Sequence, residues 1–253
     1  MIRIEEQDGI AVAHLARPPV NALDRELLQA IGDTFTELKE SDYPAVVLTG
    51  EGSSFSAGAD LFSVLEGSTD YIEGTVPALS AAFSALFEFP RPVVAAVNGH
   101  AIAGGAILTC ACDYRIMAEG SGRIGISELK VGVPFPTYAI EIMRFAVAPQ
   151  HFQELVYLAR AYPPEDALEK GMIDDIVEPE RLMDRAVDVA QRFARIPRAT
   201  FESMKKIIRQ PTLDRIARYG PEHDEKAKKG WSSDVVQDSI REFLLVTLGT
   251  DTR

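Results

Sequence analysis

Two strongly apolar segments, each followed by a turn rich in small residues, constrain the fold of this chain most. Segment 45–49 precedes a turn at residues 55–61, and segment 93–97 precedes a turn that contains Gly104 and Gly105. Short apolar runs separated by helical patterns are typical of strands buried on both faces of a parallel sheet. Parallel neighbours need right-handed crossovers between them, so the sequence predicts an α/β fold.

The segments between and after these strands carry helical spacing. An amphipathic helix is predicted to start at Asp24, and another helix is predicted over residues 76–89. From about Phe135 onward the pattern is almost wholly helical, apart from a short strand predicted at 173–177. Apolar stripes in this part predict three further helices, at residues 180–196, 200–209 and 234–248.

Length and composition restrict the class of protein. The chain has 253 residues and a net charge of −12, so we expect one continuous domain with an α/β core at 1–195 and a helical C-terminal region at 196–253. The acidity argues against nucleic-acid or membrane-surface partners, and no apolar run approaches the ~20 residues that span a bilayer. Cys110 and Cys112 are expected to be buried free thiols, which fits a cytoplasmic location. The histidines lack metal-site spacing, so no metal is expected.

Both turns are suited to presenting backbone N–H groups to a ligand. Glycine lets a ligand approach the backbone without a Cβ in the way, and a helix that starts near Gly104 adds unpaired N–H groups. Two such donors that converge on one oxygen form an oxyanion hole, which stabilises a developing negative charge. A Gly-Gly pair alone is weak support for such a site. Its combination with the earlier Ser-Ala-Gly-Ala-Asp-Leu turn is far more specific.

With these motifs, the chain resembles the crotonase superfamily, the enoyl-CoA hydratase/isomerase family. The resemblance covers nearly the whole chain, and its motifs lie at residues 17–23, 56–61, 92–105, 112–115, 125–132 and 167–174. It implies the crotonase fold, a spiral of ββα units with two sheets, followed by C-terminal helices through which family members form homotrimers or pairs of trimers. The implied substrate is an acyl-CoA thioester. No separate cofactor is expected, because coenzyme A is part of the substrate.

The resemblance also assigns residues to the site. By it, the backbone N–H groups of Ala59 and Gly104 hold the thioester oxygen. Ala57 falls where the family's loop meets the adenine of coenzyme A, and Ala22 lies on a segment that lines the pantetheine or the nucleotide.

One position departs from the pattern of the family's hydratases. These enzymes place a catalytic glutamate on the helix after the glycine turn, where this chain has Ile107, and the second family glutamate is kept as Glu128. Ile107 lies three residues after Gly104, so we expect its apolar side chain to face the reacting carbons. Such a neighbour should desolvate Glu128 and raise its pKa.

A site with one carboxylate and a site with two carboxylates can catalyse different reactions. Family hydratases divide the addition of water between two glutamates, whereas a 1,3-proton shift needs one base, which takes a proton from C2 and returns it to C4. The preferred prediction is therefore a Δ3,Δ2-enoyl-CoA isomerase with Glu128 as its acid/base. Enoyl-CoA hydratase is the main alternative. Another crotonase reaction, such as thioester hydrolysis or decarboxylation, and a catalytically degenerate acyl-CoA-binding protein are the others.

Several further residues are candidates for the site. Asp60 and Leu61 follow the oxyanion alanine and are expected to contact substrate, with Asp60 also capping the next helix. Phe135 is expected to wall the acyl pocket. Glu141 is either a second acid or a solvent-facing or inter-subunit residue. Lys205 belongs to a basic pair that predicts a solvated helix face, with contact to the coenzyme A phosphates as the alternative.

Overall fold

The computed structural model describes residues 1–249, which form two β-sheets and a set of surrounding helices. Within these residues the strands, in chain order, are β1 (Ile2–Gln7), β2 (Ile10–Leu15), β3 (Val46–Gly50), β4 (Ser54–Ser56), β5 (Val93–Val97), β6 (His100–Ile102), β7 (Tyr114–Ala118), β8 (Ile124–Gly125), β9 (Ala161–Tyr162) and β10 (Asp175–Val177).

The α-helices alternate with the strands at first and then dominate the chain. In order they are α1 (Arg25–Glu40), α2 (Leu61–Glu66), α3 (Thr69–Phe87), α4 (Gly104–Ala111), α5 (Glu128–Val131), α6 (Thr137–Ala146), α7 (Pro149–Leu158), α8 (Pro164–Glu169), α9 (Leu182–Ala194), α10 (Arg198–Trp231) and α11 (Asp234–Leu248). In the part of the chain that the structure describes, none of these helices is long and apolar enough to cross a membrane.

The larger sheet confirms the predicted α/β fold. Its six strands lie in the order β1-β2-β3-β5-β7-β10, and every neighbouring pair except β1 and β2 is parallel. The strands predicted at 45–49 and 93–97 are β3 and β5, which pair directly with Val46 opposite Val93. Since the carboxyl ends of parallel strands meet at one edge of a sheet, the turns after β3 and β5 start from the same edge.

The second sheet brings the two turns into contact. Its four short strands lie in the order β4-β6-β8-β9, and β4, just before Gly58, runs parallel to β6, just before Gly104. Gly105 is required at this approach, because a Cβ there would lie 2.4 Å from the carbonyl oxygen of Ser56. The sheet thus joins two segments that are about 45 residues apart in the sequence.

Both faces of the large sheet are buried, as the continuous apolar runs predict. Val47 and Val94 point to a layer closed by α9, whereas Leu48 and Ala95 point to the main core with α1, α3 and α4. The apolar stripe of α9, whose residues Leu182, Ala186 and Val189 are buried, packs on this sheet.

The helix predicted from Asp24 is α1, and its start is defined by a side-chain cap. Asp24 accepts a hydrogen bond from the N–H of Leu27 at 2.8 Å, and the predicted apolar stripe is buried. The helix predicted at 76–89 begins earlier, at Thr69, because Ser68 caps it, and Pro77 lies within it.

The C-terminal region differs most from the sequence prediction. The helix expected at 200–209 is α10, which runs for 34 residues through Pro211 and Pro221. Both prolines are exposed, and α10 packs lengthwise against α3 and α6, so tertiary contacts offset the lost backbone hydrogen bonds. Strand β9 has no counterpart in the prediction, whereas α11 ends where expected. Residues 250–253 of the predicted region lie outside the described residues.

A buried ion cluster fixes α10 to the core. The Asp113 carboxylate accepts from Lys205 at 2.6 Å and from Arg209 at 2.8 Å. The expectation of a solvated face at Lys205 was wrong, because Asp113 at the end of α4 compensates its charge and the side chain is buried. Cys110 and Cys112 beside the cluster are buried and free, as predicted, and burial raises the pKa of the Cys110 thiol to about 11.

Candidate active site

An isolated β-bridge between Leu23 and Ala59 helps to hold the first glycine turn in place. Leu23 donates from its N–H to the carbonyl of Gly58 at 2.8 Å and accepts from the N–H of Asp60 at 3.2 Å. Ala59 lies between these two residues, so its own N–H stays outside the bridge. Gly58 adopts φ = +82°, a conformation that favours glycine, and this allows the chain to turn before Ala59.

The second turn places Gly104 at the first position of α4. Ala103 before it has φ = +52° and ψ = −120°, an unusual conformation for alanine, and its N–H is anchored to the carbonyl of Gly125 at 2.8 Å. The first N–H groups of a helix have no partner within the helix. Among the described residues, no acceptor is paired with the N–H of Gly104 or with that of Ala59.

The two turns open into one apolar cavity of about 110 Å³. Its walls come from both turns, from α3, α5 and α6, and from the two C-terminal helices. The lining residues are Ala57, Ala59, Leu61, Leu79, Phe83, Ile102, Ala103, Gly104, Ser127, Glu128, Val131, Val133, Pro136, Ala139, Trp231 and Phe243. Of these described residues, Glu128 is the one with an ionisable side chain.

Glu128 is the first residue of α5 and is 9% exposed. Its Oε2 accepts a hydrogen bond from the N–H of Ser127 at 2.8 Å, which orients the carboxyl group. Burial raises the pKa of Glu128 to about 7, against a smaller opposing effect of backbone N–H donors. A carboxyl group that titrates near neutral pH can both accept and donate a proton.

Comparison with known proteins identifies the family to which this chain belongs. The family model described as enoyl-CoA hydratase/isomerase matches residues 5–244. The chain belongs to the enoyl-CoA hydratase/isomerase family. The predicted crotonase fold is therefore confirmed along almost the whole chain.

Some of the similar family members are named isomerases and others hydratases. The chain is 26% identical over 239 residues to the human mitochondrial enoyl-CoA delta isomerase 1. The aligned region covers 93% of this chain and 79% of that protein. It is 31% identical to the probable enoyl-CoA hydratase echA17 of Mycolicibacterium paratuberculosis, over 91% of each chain. The crystal structure of human mitochondrial delta3-delta2-enoyl-CoA isomerase superposes with a TM-score of 0.90 at 27% identity, covering 96% of each chain.

Most of the site residues expected from the family resemblance come together in the structure. Ala57, Ala59, Leu61, Gly104 and Glu128 all line the cavity. They derive from elements far apart in the sequence, so the pairing of the two glycine turns and the approach of α5 are what assemble them.

Two residues that were expected to contact the substrate, Asp60 and Ala22, lie outside the cavity lining. Asp60 does not line the cavity, and its carboxylate caps α2 by accepting from the N–H groups of Phe62 at 3.1 Å and Ser63 at 3.2 Å. Ala22 is half-buried and lies outside the cavity lining, beside the bridge made by Leu23. Its expected contact with coenzyme A stays a prediction.

Two apolar residues that were expected at the site, Ile107 and Phe135, lie outside the lining of this cavity. Ile107 is fully buried on α4, one turn after Gly104, and lies outside the lining, so its expected position facing the reacting carbons stays a prediction. Phe135 packs against the core, and its neighbour Pro136 lines the cavity instead. Adjacent side chains of an extended segment point in opposite directions, which explains why Pro136 lines the cavity and Phe135 does not. The apolar surroundings of Glu128 thus come from other residues.

Glu141 is neither a second acid in the cavity nor a solvent-facing residue. Its side chain is buried, with Oε2 2.6 Å from Arg215 of α10 and Oε1 3.2 Å from Arg144. The arginine side chains satisfy the carboxylate away from the cavity. Its role in this structure is to join α6 to α10.

Several lining residues could not be predicted from the sequence. Trp231 and Phe243 come from the C-terminal helices, more than 120 positions after Gly104, and the helical pattern does not show what lies opposite them. Trp231 is the single tryptophan of the chain, which was the one available signal. Ala103 could have been suspected only from its place before the Gly-Gly pair.

Proposed function

We propose that this family member is a Δ3,Δ2-enoyl-CoA isomerase in which Glu128 carries the proton. The observation that supports this most is that the lining residues of the cavity include one ionisable side chain among the described residues. Ile107 occupies the position at which the family's hydratases have their other glutamate. A lone acid/base suits a proton shift better than the addition of water, in which one group must activate the water while a proton is delivered to C2.

The reaction starts with substrate bound through its thioester oxygen. The N–H groups of Ala59 and Gly104 donate to this oxygen, and the acyl chain lies in the apolar cavity. The Glu128 carboxylate removes a proton from C2 of the 3-enoyl thioester, and the electron pair of that C–H bond moves into the dienolate. Preorganised main-chain donors stabilise the negative charge as it develops on the oxygen.

The same side chain completes the reaction. Glu128, now a carboxylic acid, returns the proton to C4, and the double bond moves to the position between C2 and C3. A pKa raised to about 7 favours this dual use, since neither protonation state is strongly preferred at neutral pH. The apolar lining keeps water away from C3, which suppresses hydration of the product.

The deciding experiment compares two substrates by product analysis. The protein is incubated separately with 3-hexenoyl-CoA and with trans-2-hexenoyl-CoA. The proposal expects double-bond migration in the first and little 3-hydroxyhexanoyl-CoA in the second. Fast hydration of the 2-enoyl substrate without migration of the double bond would instead identify a hydratase. Binding of both substrates without turnover of either would identify a degenerate acyl-CoA-binding protein.

A labelled substrate then tests whether one group carries the proton. With deuterium at C2 of 3-hexenoyl-CoA, a single carboxyl group that moves it from C2 to C4 leaves part of the label at C4 of the product. A single-turnover product without label at C4, formed faster than the carboxyl deuteron can exchange with solvent, would contradict a transfer by Glu128 alone.

A further inference from the structure

The two C-terminal helices close one side of the cavity that holds Glu128. Trp231, the last residue of α10, and Phe243 of α11 both line it, although neither belongs to the two turns that supply the oxyanion donors. The remaining wall on this side consists of Val133, Pro136 and Ala139. All five side chains are apolar, so this side suits the hydrocarbon tail of an acyl group and not the polar coenzyme A.

Trp231 is held rigidly in this wall. Its indole Nε1 donates to the carbonyl of Pro134 at 2.8 Å, and its own carbonyl accepts from the amide of Gln237 at 2.8 Å. Gly230 lets α10 approach closely, because a Cβ there would lie 2.8 Å from Cγ of Pro134. The indole is 2% exposed and cannot swing aside without breaking a buried hydrogen bond.

Phe243 is held less tightly. Its ring is half-buried, and its charged neighbour is the ammonium group of Lys130 on α5, 5.9 Å from the ring centroid. No donor or acceptor fixes a phenyl ring in the way that Nε1 fixes the indole. Trp231 is therefore the firmer of the two aromatic boundaries.

The volume sets a limit on the acyl tail. An engineered protein cavity of about 150 Å³ takes up benzene, a molecule of six carbons. By this comparison the 110 Å³ cavity has room for about four or five carbon atoms beyond the thioester carbonyl.

We propose that Trp231 is the residue that determines acyl chain length, and that it restricts this protein to short acyl-CoA thioesters of about six carbons. This inference rests on the proposed function, since it places the acyl tail in the cavity beside Glu128. A longer chain has to displace the indole from Pro134 or leave its terminal carbons outside the apolar wall.

The first test measures binding and does not require turnover. The affinities of saturated acyl-CoAs with 4 to 12 carbons are measured by calorimetry for the unmodified protein and for Trp231→Ala and Trp231→Phe. Each methylene that enters the cavity strengthens binding about four-fold. For the unmodified protein we expect this increase to stop near six carbons, and for Trp231→Ala to continue to about ten.

The second test measures specificity in the reaction. The ratio of kcat/KM for 3-decenoyl-CoA to that for 3-hexenoyl-CoA is expected to rise more than ten-fold in Trp231→Ala and less in Trp231→Phe. Tyr219→Ala removes an aromatic side chain of the same helix outside the cavity and is expected to leave the ratio unchanged. If Trp231→Ala does not fold, as judged by circular dichroism, Trp231→Phe carries the comparison.

The outcomes separate the two proposals. An affinity that rises equally to 12 carbons in the unmodified protein and in both variants overturns the role of Trp231. A limit near six carbons that moves in the variants, together with no isomerisation of any 3-enoyl-CoA, keeps the role of Trp231 and refutes the isomerase assignment. Isomerisation without a chain-length limit supports the isomerase assignment and refutes the role of Trp231.

Discussion

A Cβ atom on Gly58 would lie 3.0 Å from the backbone nitrogen of Gly104, so the turns that supply the two oxyanion donors are in direct contact. The same Cβ would lie 2.7 Å from the carbonyl oxygen of Ile102. Neither of these main-chain atoms can move without changing the direction of the N–H of Gly104 or the pairing of β6. The oxyanion hole therefore depends on the absence of a side chain at Gly58.

This contact leads to a test of donors that cannot themselves be mutated. Gly58→Ala is expected to lower kcat by about 10²–10³-fold, the loss that follows displacement of an oxyanion donor. Gly52→Ala is the matched control, because Gly52 has a similar φ of +78° but no atom within 4 Å of its Cβ. Steady-state kinetics on both variants measures the difference, and equal losses would mean that backbone strain, not the contact, is responsible.

Glu128→Gln should abolish proton transfer while the cavity keeps its shape. We expect kcat to fall by about 10⁴-fold, at the upper end for one acid/base group, because the same side chain acts in both steps. Binding of acyl-CoA, followed by calorimetry, should be largely retained. The control is Glu141→Gln, which also alters a buried glutamate but lies outside the cavity lining. It should lose stability and keep most of its activity, and unchanged turnover in Glu128→Gln would exclude Glu128 as the base.

The raised pKa of Glu128 predicts the pH dependence of activity. Below about pH 7 the carboxyl group is protonated in the free protein and cannot accept the C2 proton. We therefore expect kcat/KM to rise with pH and to level off above an apparent pKa of about 7. A pH–rate profile that is flat from pH 5 to 8 would show that the rate-limiting base is not a buried carboxyl group.

The same shift has a consequence for stability. The folded-state pKa, about 7, is above the unfolded value of 4.5, so the folded state binds the proton more tightly. This stabilising contribution is fully present below pH 4.5 and is lost as the pH rises through about 7. From pH 5 to pH 8 the unmodified protein should lose about 2–3 kcal/mol of its free energy of unfolding through ionisation of Glu128. The Glu128→Gln variant cannot ionise at this position, so it should not show this loss. Urea unfolding at both pH values measures this, and a constant difference would contradict it.

The ion cluster around Asp113 predicts a purely structural effect. Asp113→Asn leaves the buried cations of Lys205 and Arg209 without their carboxylate, so the free energy of unfolding should fall by about 3–5 kcal/mol. Asp238→Asn removes the partner of Arg241 in an exposed pair and should cost less than about 1 kcal/mol. Denaturant unfolding compares the two, and similar losses would show that the cluster does not hold α10 on the core.

The elements near the two glycine turns could be predicted because their signals are local. Strand β5 lies at the predicted residues, and α1 starts directly after Asp24, where the sequence predicts the start of a helix. Continuous apolar runs and capping side chains act on their own segments, so the sequence shows them directly. The length of α10 could not be predicted this way, because Pro211 and Pro221 argue locally for an end that packing against α3 and α6 overrides.

The sequence by itself determined the chemistry that is available at the site. Glycine at position 58, the Gly104-Gly105 pair and Glu128 are residue types that allow close backbone approach and proton transfer, and their motifs indicate the family. Only the tertiary structure decided what surrounds them. Whether Ile107 or Trp231 lines the cavity depends on the packing of α4 and α10, because contacts between distant segments leave no periodic signal in the chain.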